Sequence, residues 1–168
     1  IIYYILYMFI RGDIGLIIGI HNSGKTMFAK HLAKTLDENY IYIDFIHTSY
    51  YDLDVIYENN KNTECVIIFD NFIELTTNMR RMDLFIQNKK MTLIFVLNYI
   101  SHYFIKKSDI IYFAKNLDFT DTYFDSIKTY YNDKIGFENN MKKLRDFGFL
   151  SIDKDNKVKH EEELIKIE

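Results

Sequence analysis

Two glycines, a lysine and a hydroxyl residue at fixed spacing are the first sign of chemistry in this chain. Gly19-Ile20-His21-Asn22-Ser23-Gly24-Lys25-Thr26 matches G-x-x-x-x-G-K-[ST] at every fixed position. Gly19 and Gly24 let the backbone turn back and aim amide N–H groups inward at an anion. A helix starting where the loop ends adds its positive pole. Lys25 then reaches the β- and γ-phosphates of a nucleoside triphosphate, and the Thr26 hydroxyl ligates Mg²⁺. The expected nucleotide-binding set is Gly19, Ile20, His21, Asn22, Ser23, Gly24, Lys25, Thr26 and Met27, with ATP and Mg²⁺ as cofactors. The bland alternative is a chance glycine turn before a helix with an exposed lysine. An apolar strand before the loop and a helical pattern after it weigh against that.

A second acidic motif follows. Cys65-Val66-Ile67-Ile68-Phe69-Asp70 is an apolar run closed by one acid, which places a carboxylate at the tip of a buried strand, where open α/β sheets bind ligands. There Asp70 joins Thr26 in supporting the metal. Many hydrolytic NTPases carry another acid immediately afterwards to orient or deprotonate the attacking water. This chain has Asn71, whose amide cannot act as a base. Glu74 is either a substitute reaching back from the loop or a solvated loop residue. Asn98 closes the next strand and is either a sensor of the γ-phosphate or a turn-favouring strand terminator. Arg80 and Arg81 offer an arginine finger for a neighbouring subunit, or a solvated helix face. Lys89-Lys90 and Lys106-Lys107 are surface pairs that could join a DNA-facing patch.

The elements that must position these residues are legible in the hydrophobic pattern. Apolar runs predict strands over Tyr4–Phe9, Ile14–Ile20, Tyr40–Phe45, Cys65–Phe69, Thr92–Leu97 and Ile110–Ala114. Between them, spacing near 3.6 predicts helices after Thr26, within Asp52–Glu64 and over Met79–Ile86. Strands alternating with helices predict an α/β fold with a mostly parallel sheet of about five strands. Beyond Leu117, Thr122–Tyr131 and Phe137–Phe147 read as amphipathic helices, and Phe149–Ile152 with Val158–His160 as a hairpin. No linker divides the chain, so a single domain is expected, with a core over about residues 13–117 and a C-terminal extension over 118–168.

Bulk properties agree. The 168 residues are 48% hydrophobic and 27% charged, a globular composition with room for one α/β core. A net charge of −3 announces no global basic field for nucleic acid. The apolar segment Ile1–Ile10 falls short of the roughly 20 residues that span a bilayer, so no membrane partner is expected. The single cysteine, Cys65, forms no internal disulfide and fits a buried thiol in a reducing, cytoplasmic setting. The five histidines show no metal-ligand spacing, and Asp153–Lys157 lacks the glycine and glutamate of a calcium loop. The 14 Tyr and 14 Phe fall at core-like periods and read as packing, not as a base-stacking platform.

With these residues in place, the chain resembles the poxvirus-type genome-packaging ATPases of the FtsK–HerA superfamily. Three pieces carry the resemblance: the loop Gly19–Thr26, the run Val66–Asp70, and Leu84–Asn98, which is similar to the family's helix, basic turn, strand and terminal polar sensor. It covers roughly residues 13 to 130. The departures are Asn71 for the second acid, Asn98 for a more usual Gln, and Lys89-Lys90 for an Arg-containing turn. The resemblance implies an additional-strand sheet, with the Asn98 strand between the loop strand and the Asp70 strand. It also implies ATP-driven movement of double-stranded DNA by a homo-oligomeric ring, capsid components as further partners, and a place in a virus factory or virion. Lys25, Asp70, Asn98 and Glu74 are the candidate catalytic residues, and Thr26 with Asp70 the metal ligands. Rival readings are an AAA-like or signalling ATPase, a nucleotide-binding subunit with weak hydrolysis and, with few arginines for a lid, a small-molecule kinase.

Overall fold

The structure is a computed structural model that describes residues 9–72, 76–99, 101–115, 134–154 and 157–161. The expected strand over Tyr4–Phe9, the helix over Thr122–Tyr131 and Glu74 lie outside those residues, apart from Phe9. Seven strands form one sheet in the order β2-β3-β4-β1-β5-β6-β7. They are β1 Ile14–Ile18, β2 Ile41–Asp44, β3 Cys65–Asp70, β4 Met91–Leu97, β5 Ile110–Ala114, β6 Phe149–Asp153 and β7 Val158–His160. The first five run parallel. The hairpin extends the same sheet, because β6 pairs antiparallel with β5 and β7 with β6.

Five helices are described: α1 Lys25–Leu36, α2 Tyr50–Asn60, α3 Thr76–Gln87, α4 His102–Lys107 and α5 Lys134–Lys142. The short α4 has no counterpart among the expected helices; Ser101 caps it by accepting from the Phe104 amide. The helix expected over Phe137–Phe147 stops at Lys142. From there the chain closes tight turns, the Leu144 amide donating to the Met141 carbonyl and the Gly148 amide to the Arg145 carbonyl. Those turns swing the backbone round to enter β6. α2 begins with a capping box, Ser49 and Asp52 exchanging hydrogen bonds.

Alternation along the central strands divides the core. Leu16, Ile18, Ile67, Phe69, Leu93, Phe95, Ile111 and Phe113 face one side, with Leu53, Met82, Phe85, Phe104 and Phe137 from α2 to α5 packed over them. Ile17, Val66, Ile68, Ile94, Val96 and Tyr112 face the other, against Phe28, Ala29, Leu32 and Ala33 of α1. Burial on both faces explains why these strands read as unbroken apolar runs. Cys65 is buried, and burial raises its thiol pKa. Among the described residues no helix is long and apolar enough to cross a membrane.

Helix α1 also grips the hairpin: Phe28 stacks on Phe149 with ring centroids 4.2 Å apart and meets Tyr112 edge-on at 5.0 Å. Since Phe149 is fully buried, Phe149→Ala should lower the unfolding free energy by about 3–5 kcal/mol. Urea denaturation measures this, and a near-zero change would mean the hairpin does not pack on α1.

Candidate functional site

The parallel strands end along one edge, and their register lines up the functional residues. Asp44 of β2 pairs with Asp70 of β3, Asp70 with Val96, and Ile18 of β1 with Leu97 of β4. The loop leaving β1 is therefore separated from the Asp70 strand by β4, whose tip carries Asn98. That is the strand placement the resemblance implied. The Gly19 amide donates to the Leu97 carbonyl at 3.3 Å and fixes the start of the loop against β4.

The loop approaches the sheet edge as closely as a backbone can. A Cβ on Gly19 would lie 2.5 Å from the Ala114 methyl and 2.6 Å from Ser23 Oγ, so only glycine fits. Gly24 turns with φ +87° and Asn22 with φ +64°, the left-handed region that glycine and asparagine enter most readily. α1 then begins at Lys25 with Gly24 as its N-cap, no side chain capping it and no acid in its first turn. A helix start leaves N–H groups without intrahelical partners, and here no side-chain oxygen competes for them with an incoming anion.

Lys25 is 7% exposed, and its Nζ donates to the Ile20 carbonyl at 2.5 Å. Burial pulls its pKa down, with the Asp70 carboxylate pulling the other way. Asp70 is 4% exposed and receives three donors. Thr26 Oγ1 donates to Oδ2 at 2.7 Å, Tyr42 OH to the same oxygen at 2.5 Å, and the Asn71 backbone N–H to Oδ1 at 2.8 Å. Burial, and then the hydrogen bond to Asp70, push the Tyr42 phenol well above its usual pKa, which keeps it a donor. Lys30 Nζ sits 4.4 Å from the centre of the Tyr42 ring and holds it in place.

A cleft of about 390 Å³ joins these groups. It is lined by the loop from His21 to Met27 and by Tyr42, Asp70, Asn71 and Asn98. The structure thus brings together the loop, Asp70 and Asn98. Gly19 and Ile20 lie at the base of the loop, Gly19 fixing its path and Ile20 accepting from Lys25. Arg81 is held by Asp54 of α2, through Nε at 2.9 Å and Nη2 at 3.2 Å, while Arg80 is exposed on α3. Lys89-Lys90 and Lys106-Lys107 precede β4 and β5 and so lie at the opposite edge of the sheet.

Two residues that sequence reasoning passed over enter the site from β2. Tyr42 reaches Asp70. Asp44 accepts a hydrogen bond from Asn71 Nδ2 at 3.0 Å. Burial raises the Asp44 pKa, but the hydrogen bonds from Asn71 and from the Ile46 amide outweigh it and hold the carboxyl below its ordinary value. The signal was present: Ile43-Asp44 closes an apolar strand with an acid, as Phe69-Asp70 does. Only the β2–β3 register shows that the two tips are neighbours. An acid therefore does stand beside position 71, supplied by the adjacent strand.

No family model matches the chain, and no curated protein does. Solved structures do. The chain is similar to the genome packaging NTPase B204 from Sulfolobus turreted icosahedral virus 2 in complex with AMP. The TM-score is 0.63 at 14% identity, over 89% of this chain and 96% of that one. The same NTPase in complex with ATP-gammaS matches with a TM-score of 0.60 at 16% identity, over 90% and 98%. At this identity the likeness shows the fold: an α/β NTPase fold with a mostly parallel sheet flanked by helices.

The Asp44–Asn71 pair gives a direct test. Asn71→Asp would set a second carboxylate against Asp44. Like charges in contact raise the pKa of the pair above its unfolded values. The destabilisation is therefore full above those values and fades as pH falls through the raised ones. The melting temperature should drop below that of the unsubstituted protein at about pH 8, with the gap narrowing toward about pH 4. An equal gap at both would rule out repulsion.

Proposed function

We propose that the chain is a Mg-ATP-binding P-loop ATPase of the FtsK–HerA type, a viral genome-packaging motor that moves double-stranded DNA. The observation that carries the reading is the 2.7 Å hydrogen bond from Thr26 to Asp70 across β4, which closes the phosphate loop against a buried acid. The strand order, with β4 between β1 and β3, supports the superfamily placement. The similarity to a packaging NTPase solved with nucleotides supports the choice of activity.

The residues fit the expected metal. Thr26 and Asp70 offer two hard oxygens side by side. Among the described residues no cluster of three or more His, Cys, Asp or Glu forms a closed metal cage, and Mg²⁺ prefers a few protein oxygens plus phosphates. When bound, Mg²⁺ neutralises charge developing on the β- and γ-phosphates. Lys25 exchanges the Ile20 carbonyl for a phosphate oxygen, and the uncapped amides of α1 hold the rest of the phosphate chain. Tyr42 and the Asn71 backbone N–H keep Asp70 oriented. Asn98 faces the γ-phosphate, and Asn71, steered by Asp44, orients the attacking water. Phosphoryl transfer needs little beyond such positioning and charge stabilisation.

An exposed Arg80 serves a neighbour in a homo-oligomeric ring. The lysine pairs 89-90 and 106-107 contact DNA from the far edge of the sheet, and capsid components are further partners. The protein works in the cytoplasm, in a virus factory or in the virion. One rival keeps a specific observation: Asn71 in place of the second acid favours a nucleotide-binding subunit with slow turnover.

Lys25→Ala should abolish ATP affinity in isothermal titration calorimetry while leaving the melting temperature within a few degrees; retained affinity would sink the nucleotide-binding reading. The purified oligomer should hydrolyse ATP faster when double-stranded DNA is added. Binding without DNA-stimulated hydrolysis would decide for the slow-turnover subunit.

A further inference from the structure

The phosphate loop borders a second cavity, of about 280 Å³, lined by Asn22, Ser23, Lys115, Asp146 and Phe147. Asn22 and Ser23 also line the phosphate cleft, so the two spaces meet at the loop. They lie on opposite sides of it. Asp70 and Asn98 stand on the β3–β4 side of β1, whereas Lys115 follows β5 and Phe147 precedes β6, on the other side. A triphosphate whose terminal group faces Asp70 must send its nucleoside away from β3. This cavity is where that direction leads.

Phe147 is an unusual residue to find there. It is 53% exposed and holds φ at +60°, a conformation that is strained for a bulky side chain. Its ring lies beside the phosphate loop: a Cβ on Gly24 would be 3.3 Å from Phe147 Cδ1. Core packing explains neither the exposure nor the strain. Lys115 and Asp146 pair at 3.2 Å and give the cavity a polar rim with a donor and an acceptor. A third cleft beside α1 is lined by Thr26, Met27, Lys30, His31, Lys34 and Tyr40. It is basic, and Tyr40 leads into β2, so this cleft lies on the Asp70 side of the loop and not away from it.

We propose that Phe147 is the stacking platform for the nucleobase of the bound nucleoside triphosphate, with the Lys115–Asp146 pair meeting the polar edge of the base. This rests on the nucleotide-binding reading above and adds the base to the phosphates. An exposed aromatic face attracts any base and favours the larger ring system, so purine nucleotides should bind more tightly than pyrimidine ones.

The test compares ATP, CTP and inorganic tripolyphosphate as titrants, each with Mg²⁺, on the full chain and on Phe147→Gly. Glycine removes the ring and also relieves the backbone, so the variant should melt at the same temperature or higher. Stacking predicts that the unsubstituted protein prefers ATP over tripolyphosphate by about tenfold or more, and that Phe147→Gly loses most of that preference. Its tripolyphosphate affinity should stay within about twofold, and Phe147→Trp should keep the preference for ATP over CTP. Unchanged ATP affinity in Phe147→Gly would overturn the assignment, as would a parallel loss of ATP and tripolyphosphate binding. If the unsubstituted protein bound neither ligand, the nucleotide-binding reading itself would fall. Binding of both with equal affinity would overturn the base subsite alone.

Discussion

The first turn of α1 must find partners for backbone N–H groups that the helix cannot satisfy, and the architecture of the site follows from leaving that need open. Most helices meet it with a Ser, Thr, Asp or Asn side chain, as Ser49 does for α2 and Ser101 for α4. At α1 the cap is a glycine with φ +87° and nothing donates or accepts from a cap side chain. The one hydroxyl in the turn, on Thr26, is committed to Asp70. The helix start is thus a concentrated, unspent positive field, held against the sheet edge by the close approach at Gly19.

Sheet order supplies what that field requires around it. Because β4 lies between β1 and β3, the acid on β3 stands two strand spacings from the loop strand, close enough for Thr26 to bridge and far enough to leave a cleft. The same insertion places Asn98 at the cleft wall. β2 then completes the acidic side from beyond β3, through Tyr42 and Asp44. The parallel register makes these contributions coincide, since every strand from β1 to β5 delivers its C-terminal end to one edge.

Much of this was legible in the sequence because parallel strands buried on both faces leave unbroken apolar runs, and because the loop demands specific residues. Cys65–Asp70 and Ile110–Ala114 are such runs, and the Phe149–Ile152 and Val158–His160 hairpin declared itself by its turn. What stayed hidden depended on relations between elements. Asp44 sits on a strand tip that looks ordinary until its register with Asp70 is known. Tyr42 was one tyrosine among 14, and its reach to Asp70 is a property of the β2–β3 pairing. Phe147 continued a helical period and was read as packing. The helix instead stops at Lys142, for no reason carried by glycine or proline in the pattern, and the turns before β6 throw the ring outward. The loop, Asp70 and Asn98 were readable one by one, whereas the contributions of β2 and the position of Phe147 needed the pairing of elements.

The stack of Phe28 on Phe149 has a mechanical meaning. α1 starts with uncapped amides, and Phe28, in that same first turn, packs on β6 of the hairpin. Close-packed aromatic contacts are stiff and transmit displacement with little loss. Because β6 is paired into the same sheet as the strand that feeds the loop, the Phe28–Phe149 stack braces the start of α1 against that sheet from the hairpin side.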